Sequence, residues 1–151
     1  MGDLDGLDDF SKSVADHLFE SYPAWRTYAY ADRESDSNEV YLVVRVPQPT
    51  GADLEQDIVI WTEGGAVVVA VDYYHDFFKW PSGAIEGDFV ATIAAIVNEE
   101  LVIASWWDGP AWLGAKAILR GERIRRLSYF RAATRVRVRS WRGSFDQDIE
   151  L

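Results

Sequence analysis

The stretch IVIWTEGGAVVVAVDYYHDFFKW, from Ile58 to Trp80, decides the fold of this chain. Apolar residues alternate along both flanks of Glu63-Gly64-Gly65, and two adjacent glycines supply the positive φ angles that a two-residue turn needs. The stretch therefore predicts a β-hairpin. Its second arm is predicted to continue as one strand from Val67 to Phe78.

Strand alternation divides the polar end of that second arm into two rows. Tyr73 and His75 fall in the row predicted to face the core, whereas Asp72, Tyr74 and Asp76 fall in the row predicted to face outward. A histidine with a carboxylate and a tyrosine would suit general acid–base chemistry. Because His75 and the two aspartates are predicted to point in opposite directions, the local sequence does not build a catalytic dyad.

The rest of the chain supplies two helical patterns and further strands. Apolar residues recur at helical spacing over Asp3–Tyr22 and again over Ile85–Glu99, while Glu39–Val46 and Arg131–Trp141 have strand patterns. This order predicts an α+β fold with a single antiparallel sheet and two helices packed mainly on one face. The connections have the length of turns, so residues 1–151 are predicted to form a single domain.

The second face of the predicted sheet is expected to be open and to display aromatic and charged residues. Tyrosine, tryptophan and arginine are enriched among the residues that dominate binding at protein interfaces. The residues predicted to bind a protein partner are Tyr41, Trp61, Asp72, Tyr74, Asp76 and Trp141. A solvated face, stabilised by pairs of arginines and acids on neighbouring strands, is the alternative.

Charge is distributed unevenly along the chain. The net charge is -10, yet residues up to Pro110 include 21 acids and 5 bases, whereas residues from Ala111 onward include 4 acids and 10 bases. A mostly acidic surface repels nucleic acid and attracts basic proteins. The composition therefore predicts a protein partner, for which the charge favours a basic surface, and no nucleic acid, although the arginines between Arg120 and Arg142 are interleaved with aromatic residues.

Composition also bears on compartment and on cofactors. The chain has no cysteine and two histidines, so neither disulfides nor a usual zinc site is predicted, and no motif indicates another cofactor. The acidic N-terminus does not resemble a signal peptide, and no apolar run has the length of a membrane span. A cytoplasmic protein without a membrane partner is expected.

Three segments carry a resemblance to a known family: VVVAVDYYHDFF at Val67–Phe78, ASWWDGPAWLG at Ala104–Gly114, and RSWRGSFDQDI near the C-terminus. Together they resemble small bacterial proteins encoded beside polymorphic or contact-dependent toxins and classed as immunity proteins. The resemblance implies a protein that binds and neutralises a toxin by occlusion, without catalysis. Of the residue features, only the Tyr73-Tyr74-His75 segment is shared with that family.

A small enzyme or ligand-binding domain is the alternative function. Its pocket would be formed by an imidazole, a phenol and several indole rings, which are groups that can transfer protons or stack on a ligand. The residues predicted to line it are Tyr73, His75, Trp80, Trp106 and Trp107.

Overall fold

The computed structural model describes residues 4–33, 39–80 and 88–151. Its helices are α1 (Asp9–Ser21), α2 (Phe89–Val97) and two short 3-10 helices, Pro23–Tyr28 and Ser128–Phe130. Its strands are β1 (Ala29–Arg33), β2 (Val40–Val46), β3 (Ile58–Glu63), β4 (Ala66–Val71), β5 (Tyr74–Lys79), β6 (Leu101–Asp108), β7 (Ala111–Leu119), β8 (Arg135–Arg139) and β9 (Gln147–Glu150).

The predicted single sheet with two helices is wrong, because the strands form two antiparallel sheets. One has the order β1-β2-β3-β4-β5 and the other the order β7-β6-β8-β9. The strands that follow α2 pair among themselves: β6 is hydrogen-bonded to β7 on one side and to β8 on the other. The four-residue strand β9, which the sequence pattern did not indicate, pairs with β8 and completes the second sheet.

The predicted hairpin is confirmed. β3 pairs with β4 in an antiparallel register that closes at Glu63 and Ala66. Gly64 and Gly65 have φ angles of 54° and 77°, which residues with a side chain rarely adopt. The glycine pair therefore sets both the position of the turn and the register of the two strands.

The predicted continuous strand from Val67 to Phe78 is wrong. The chain turns at Asp72 and Tyr73, and β5 returns beside β4 as a second hairpin. Asp72 has a φ of 55°, a left-handed conformation that aspartate tolerates better than most residues. Because the turn interrupts the alternation, the predicted inward and outward rows do not extend beyond Val71.

The chain forms two compact units that alternate along the sequence. The first comprises Met1–Pro47, Asp57–Ala70 and His75–Ile93, and the second comprises Gln48–Gln56, Val71–Tyr74 and Ala94–Leu151. The prediction that residues 1–151 form one domain stays a prediction.

In the first unit, α1 lies against the five-stranded sheet. The helix was predicted over Asp3–Tyr22 but begins at Asp9, because the Asp8 side chain accepts a hydrogen bond of 2.7 Å from the Ser11 N–H and caps it. The Ser11 hydroxyl lies 2.6 Å from the Thr62 hydroxyl of β3, and both side chains are buried. This polar contact fixes the helix on the face of the sheet that carries the core valines, leucine and isoleucines.

In the second unit, alternation gives the four-stranded sheet two different faces. Val102, Ala104 and Trp106 of β6 join Val136 and Val138 of β8 in an apolar cluster. The arginines of β8 alternate with these valines and therefore point to the opposite face.

The second helix lies partly where it was predicted. α2 comprises Phe89–Val97, and the portion of the predicted helix at residues 85–87 lies outside the described residues. Among the described residues, neither this helix nor any other is long and apolar enough to cross a membrane.

Candidate partner-binding surface

The outer face of the five-stranded sheet presents a row of aromatic side chains. The strand registers place Tyr30 of β1 opposite Val43 of β2, and Val43 opposite Trp61 of β3. Val43 is buried, whereas Tyr30 and Trp61 are half-buried. The two rings therefore flank an apolar centre and keep part of their surface in contact with solvent.

Carboxylates on the same face accept hydrogen bonds from Trp61 and from a further ring, that of Tyr41. Trp61 Nε1 donates a hydrogen bond of 3.2 Å to Glu63 Oε2, and Tyr41 Oη donates one of 3.0 Å to Glu39 Oε2. In each pair the second residue is two positions along the strand or its immediate extension from the first, and this spacing puts both side chains on one face. Aromatic and acidic groups are thus presented together.

One cation completes this surface. Arg45 Nε donates a hydrogen bond of 3.4 Å to Tyr30 Oη, and Asp32 lies directly opposite Tyr41 in the register. We refer to the set as the aromatic face. It consists of Tyr30, Asp32, Glu39, Tyr41, Arg45, Trp61 and Glu63.

Tyr41 and Trp61 lie on the sheet face that alternation predicted for them, but the sequence reasoning missed Tyr30 and Asp32. The residue pattern favours a short strand over Trp25–Tyr30 and an exposed loop from Ala31 onward, whereas the structure has a 3-10 helix over Pro23–Tyr28 and β1 over Ala29–Arg33. The signal that could have found them is the alternation Ala29-Tyr30-Ala31-Asp32, in which two alanines point inward and the larger residues outward. Because the inward-facing residues are alanines, the alternation of apolar and polar residues is weak in this segment.

Asp72 was predicted to face outward and to bind a partner, but its predicted exposure is wrong. Only 2% of Asp72 is exposed. Its Oδ2 atom accepts a hydrogen bond of 2.7 Å from Arg137 Nη1, and its Oδ1 atom accepts one of 2.7 Å from the Glu55 N–H. A buried carboxylate with two such partners serves the second unit as a structural ion pair.

Trp141 was also predicted to lie on an open face, but it is buried. The neighbouring Arg139 is likewise buried: its Nε atom donates to Asp53 Oδ2 at 3.1 Å and its Nη1 atom to Asp148 Oδ1 at 3.0 Å. Arginines that alternate with valines along a strand, as in β8, are typical of a face that meets solvent. In the structure, Arg137 and Arg139 hold carboxylates from other segments of the unit.

The other two predicted partner-binding residues lie at β5. Tyr74, at its first position, is half-buried, and Asp76 is exposed. Asp76 Oδ1 accepts a hydrogen bond of 2.8 Å from the Phe77 N–H. Their role in binding stays a prediction.

His75 was predicted to face the core together with Tyr73, and this is wrong because His75 is exposed. Its ring contacts that of Phe77, with centroids 6.1 Å apart. Trp80 follows the end of β5, and five residues of extended chain separate it from His75 by roughly 16 Å. The Trp80 ring stacks on His17 at 4.1 Å. His75 and Trp80 therefore take part in different aromatic contacts.

Tyr73 packs against tryptophans in the second unit. Its ring centroid is 5.0 Å from that of Trp107 and 6.1 Å from that of Trp112, and the Arg137 guanidinium lies 5.5 Å above it. Burial raises the pKa of the Tyr73 phenol, and the Glu55 carboxylate raises it further. The phenol is therefore held in its protonated, hydrogen-bonding form.

Trp106 was predicted to share a pocket with Trp107, but consecutive strand residues point to opposite faces. Its ring stacks on Phe130 with centroids 5.0 Å apart, and its Nε1 atom donates to the Arg125 carbonyl at 3.1 Å. Trp106 therefore belongs to the apolar cluster and Trp107 to the face that holds Tyr73. The predicted pocket of five residues is divided among four separate clusters, since His75 and Trp80 each have their own aromatic contact.

A buried carboxylate that the sequence reasoning missed lies at Glu99. Its Oε1 and Oε2 atoms accept hydrogen bonds from Arg142 and Ser144, including both backbone N–H groups. Burial by itself would raise the pKa of Glu99, but hydrogen bonds from Ser140, Ser144 and these backbone groups lower it below its usual value. Glu99 thus anchors the turn that leads from β8 to β9.

The described part of the chain has no cluster of side chains typical of a metal site. Among residues 4–33, 39–80 and 88–151, no three His, Cys, Asp or Glu side chains are grouped so as to hold a metal ion.

Comparison of the chain with protein families, with curated proteins and with solved structures gives no significant match.

Proposed function

We propose that this protein binds and neutralises a bacterial toxin by covering the toxin's active site, without a reaction of its own. The proposal rests on the resemblance of three segments to immunity proteins and on one structural observation, the aromatic face. The complex would form in the cytoplasm of the cell that the protein protects.

The observation that carries the proposal is the combination of half-buried rings and carboxylates on one sheet face. Tyr30, Tyr41 and Trp61 offer large, rigid apolar surfaces whose polar atoms can exchange partners on binding. Rings of this kind, seated in a patch that a partner can desolvate, supply most of the binding free energy in known interfaces.

The charge of the first unit supports a basic partner. This unit contains 15 acidic and 5 basic residues, which gives it a net charge of -10. A surface of one sign accelerates association with a partner of opposite sign and disfavours partners of the same sign. Toxins that cleave nucleic acid present basic surfaces to their substrate, so an acidic inhibitor suits them.

The test uses the toxin domain encoded beside this gene. We expect co-expression of this protein to restore growth of cells that produce the toxin, and the two purified proteins to form a complex whose Kd rises with salt. In Trp61→Ala, loss of the indole ring should raise Kd by at least about thirtyfold, the effect of removing about 2 kcal/mol of binding free energy.

The matched control is Tyr129→Ala, which removes an aromatic residue that is 78% exposed but lies outside the aromatic face. It should leave both growth rescue and Kd unchanged. Equal losses in the two variants, or rescue that persists in Trp61→Ala, would place the contact elsewhere. A neighbouring gene for a metabolic enzyme instead of a toxin would contradict the proposed function itself.

A further inference from the structure

One face of the four-stranded sheet is covered by a connection instead of a helix. Residues 120–134, which we call the strap, join β7 to β8 and include only one short 3-10 helix. Its apolar side chains Ile124, Leu127 and Phe130 pack against the cluster formed by β6 and β8. The strap therefore closes the core of the second unit with a few side chains.

A cavity of about 360 Å³ lies between the strap and the sheet. Its apolar wall is formed by Trp106 and Ile118 from the strands and by Ile124 and Leu127 from the strap. Trp106 is only 2% exposed and its N–H is already bonded to the Arg125 carbonyl, so the half-buried Ile118, Ile124 and Leu127 supply most of the apolar surface of this wall. The volume is in the range of pockets that hold small molecules.

Cations line the rest of the cavity. Lys116, Arg123 and Arg125 contribute to it together with a single acid, Glu122. All three cationic residues are exposed, and none forms an ion pair with any residue that the structure describes. Lys116 Nζ lies 5.2 Å from the Tyr129 ring. The cavity thus combines an apolar wall with an excess of unpaired positive charge.

We propose that this cavity binds a small organic anion, a flat apolar body that carries a carboxylate, phosphate or sulfonate group. The apolar body would lie against Ile118, Ile124 and Leu127, and the anionic group would accept hydrogen bonds from Lys116 and Arg123. This combination of an apolar wall with a few placed polar groups is typical of ligand sites.

The charge of the whole protein decides between a small anion and a polyanion such as RNA. Repulsion by a net charge of -10 increases in proportion to the charge of the ligand. A ligand with one or two charges experiences little of it, since acids beyond about 8 Å are screened at physiological salt. A polyanion that extends over the surface would experience much more. The site is independent of the proposed inhibition of a toxin.

The probe for the experiment is 8-anilinonaphthalene-1-sulfonate, an aryl sulfonate whose fluorescence rises in apolar sites. N-phenyl-1-naphthylamine, which lacks the sulfonate, is the neutral control. We expect saturable binding of the sulfonate at one site, at least tenfold tighter than binding of the neutral dye. Lys116→Gln and Arg123→Gln should each weaken sulfonate binding about tenfold, the usual effect of losing a charged hydrogen bond.

Arg131→Gln is the matched control, because Arg131 is an exposed strap residue outside the cavity lining. It should leave sulfonate binding unchanged, and near-ultraviolet circular dichroism should show that all variants keep their tertiary structure. Equal weakening by Arg131→Gln, equal affinity for the two dyes, or no saturable binding would overturn the proposal. Tighter binding of a single-stranded RNA oligonucleotide at the same residues would also overturn it.

Discussion

The two units of this protein contain similar numbers of charged residues but use them differently. The first has 15 acids and 5 bases, and acids of its aromatic face remain beside half-buried rings at the surface. The second has 10 acids and 10 bases, yet its charges do not simply cancel. Arg137 and Arg139 are paired with carboxylates, while no base of the strap forms an ion pair with a residue that the structure describes. The net charge of a unit therefore says less about the role of its charged residues than the ion pairs that each of them forms.

The largest expected effect removes one of the paired charges. Asp72→Asn keeps a residue that tolerates the left-handed turn and an oxygen for the Glu55 N–H, but it leaves Arg137 without its buried counterion. Removing one partner of a buried ion pair leaves the charge of the other partner buried and uncompensated. We therefore expect the free energy of unfolding to fall by about 3 to 5 kcal/mol in urea titrations.

Asp108→Asn is the control for that measurement, since Asp108 is exposed in the same unit. It should change the free energy of unfolding by less than about 0.5 kcal/mol. If Asp72→Asn were equally mild, the ion pair with Arg137 would not be structural and the comparison between paired and unpaired arginines would lose its basis.

The next largest effect concerns the packing of the strap residue Phe130 against Gly114 of β7. A Cβ atom at Gly114 would lie 2.5 Å from Phe130 Cε1, so Gly114→Ala must displace the ring that stacks on Trp106. Overpacking of this kind costs about 2 kcal/mol, and we expect that loss in thermal or urea unfolding. In a Phe130→Ala background the same substitution should cost much less. Additive losses in the double variant would show that the ring is not the obstacle.

A smaller effect depends on pH. The fold lowers the pKa of Glu99, so its contribution to stability is present above the ordinary value of 4.5 and is lost as pH falls through the lower, folded value. Glu99→Gln should therefore reduce the free energy of unfolding by about 1 to 2 kcal/mol at pH 7. The difference from wild type should shrink in acid.

Glu100→Gln, at the exposed neighbouring position, is the control for the pH series and should leave the stability curve close to that of wild type. A difference between Glu99→Gln and wild type that stays constant from pH 7 to pH 3 would mean that the effect arises from packing and not from the ionised carboxylate.

The smallest effect completes the comparison of arginines. Arg123→Gln removes an unpaired strap charge, and we expect it to change the free energy of unfolding by less than about 0.5 kcal/mol. Arg137→Gln changes the same chemical group but leaves the Asp72 carboxylate buried alone, so it should cost about 3 kcal/mol or more. Equal losses would remove the distinction between the two sets.

The sequence predicted those parts of the fold that have a local signal. Gly64-Gly65 marks its own turn, and the alternation in β2 and β3 placed Tyr41 and Trp61 on one face. The turn at Asp72 has no glycine and interrupts a run of strand-forming residues, so it read as a continuous strand. That one error reversed the expected exposure of both Asp72 and His75.

The pairing of the β8 arginines could not be predicted in the same way. Arg137 finds its carboxylate 65 residues earlier in the chain, and Arg139 finds one 86 residues earlier. Alternation places an arginine on a face but does not say whether that face meets solvent or a carboxylate. The division into two sheets was missed for a related reason, because strand patterns do not identify the partner of each strand.

The strap gives the second unit a place to open. Residues 122–127 belong to no helix or strand, so their backbone amides lack the ladder of hydrogen bonds that protects β6. Local opening there requires that Ile124, Leu127 and Phe130 leave the sheet and that the Trp106 N–H releases the Arg125 carbonyl, whereas opening of β6 requires the loss of two strand pairings. Amide exchange and proteolytic cleavage should therefore begin in the strap, with the four strands still assembled.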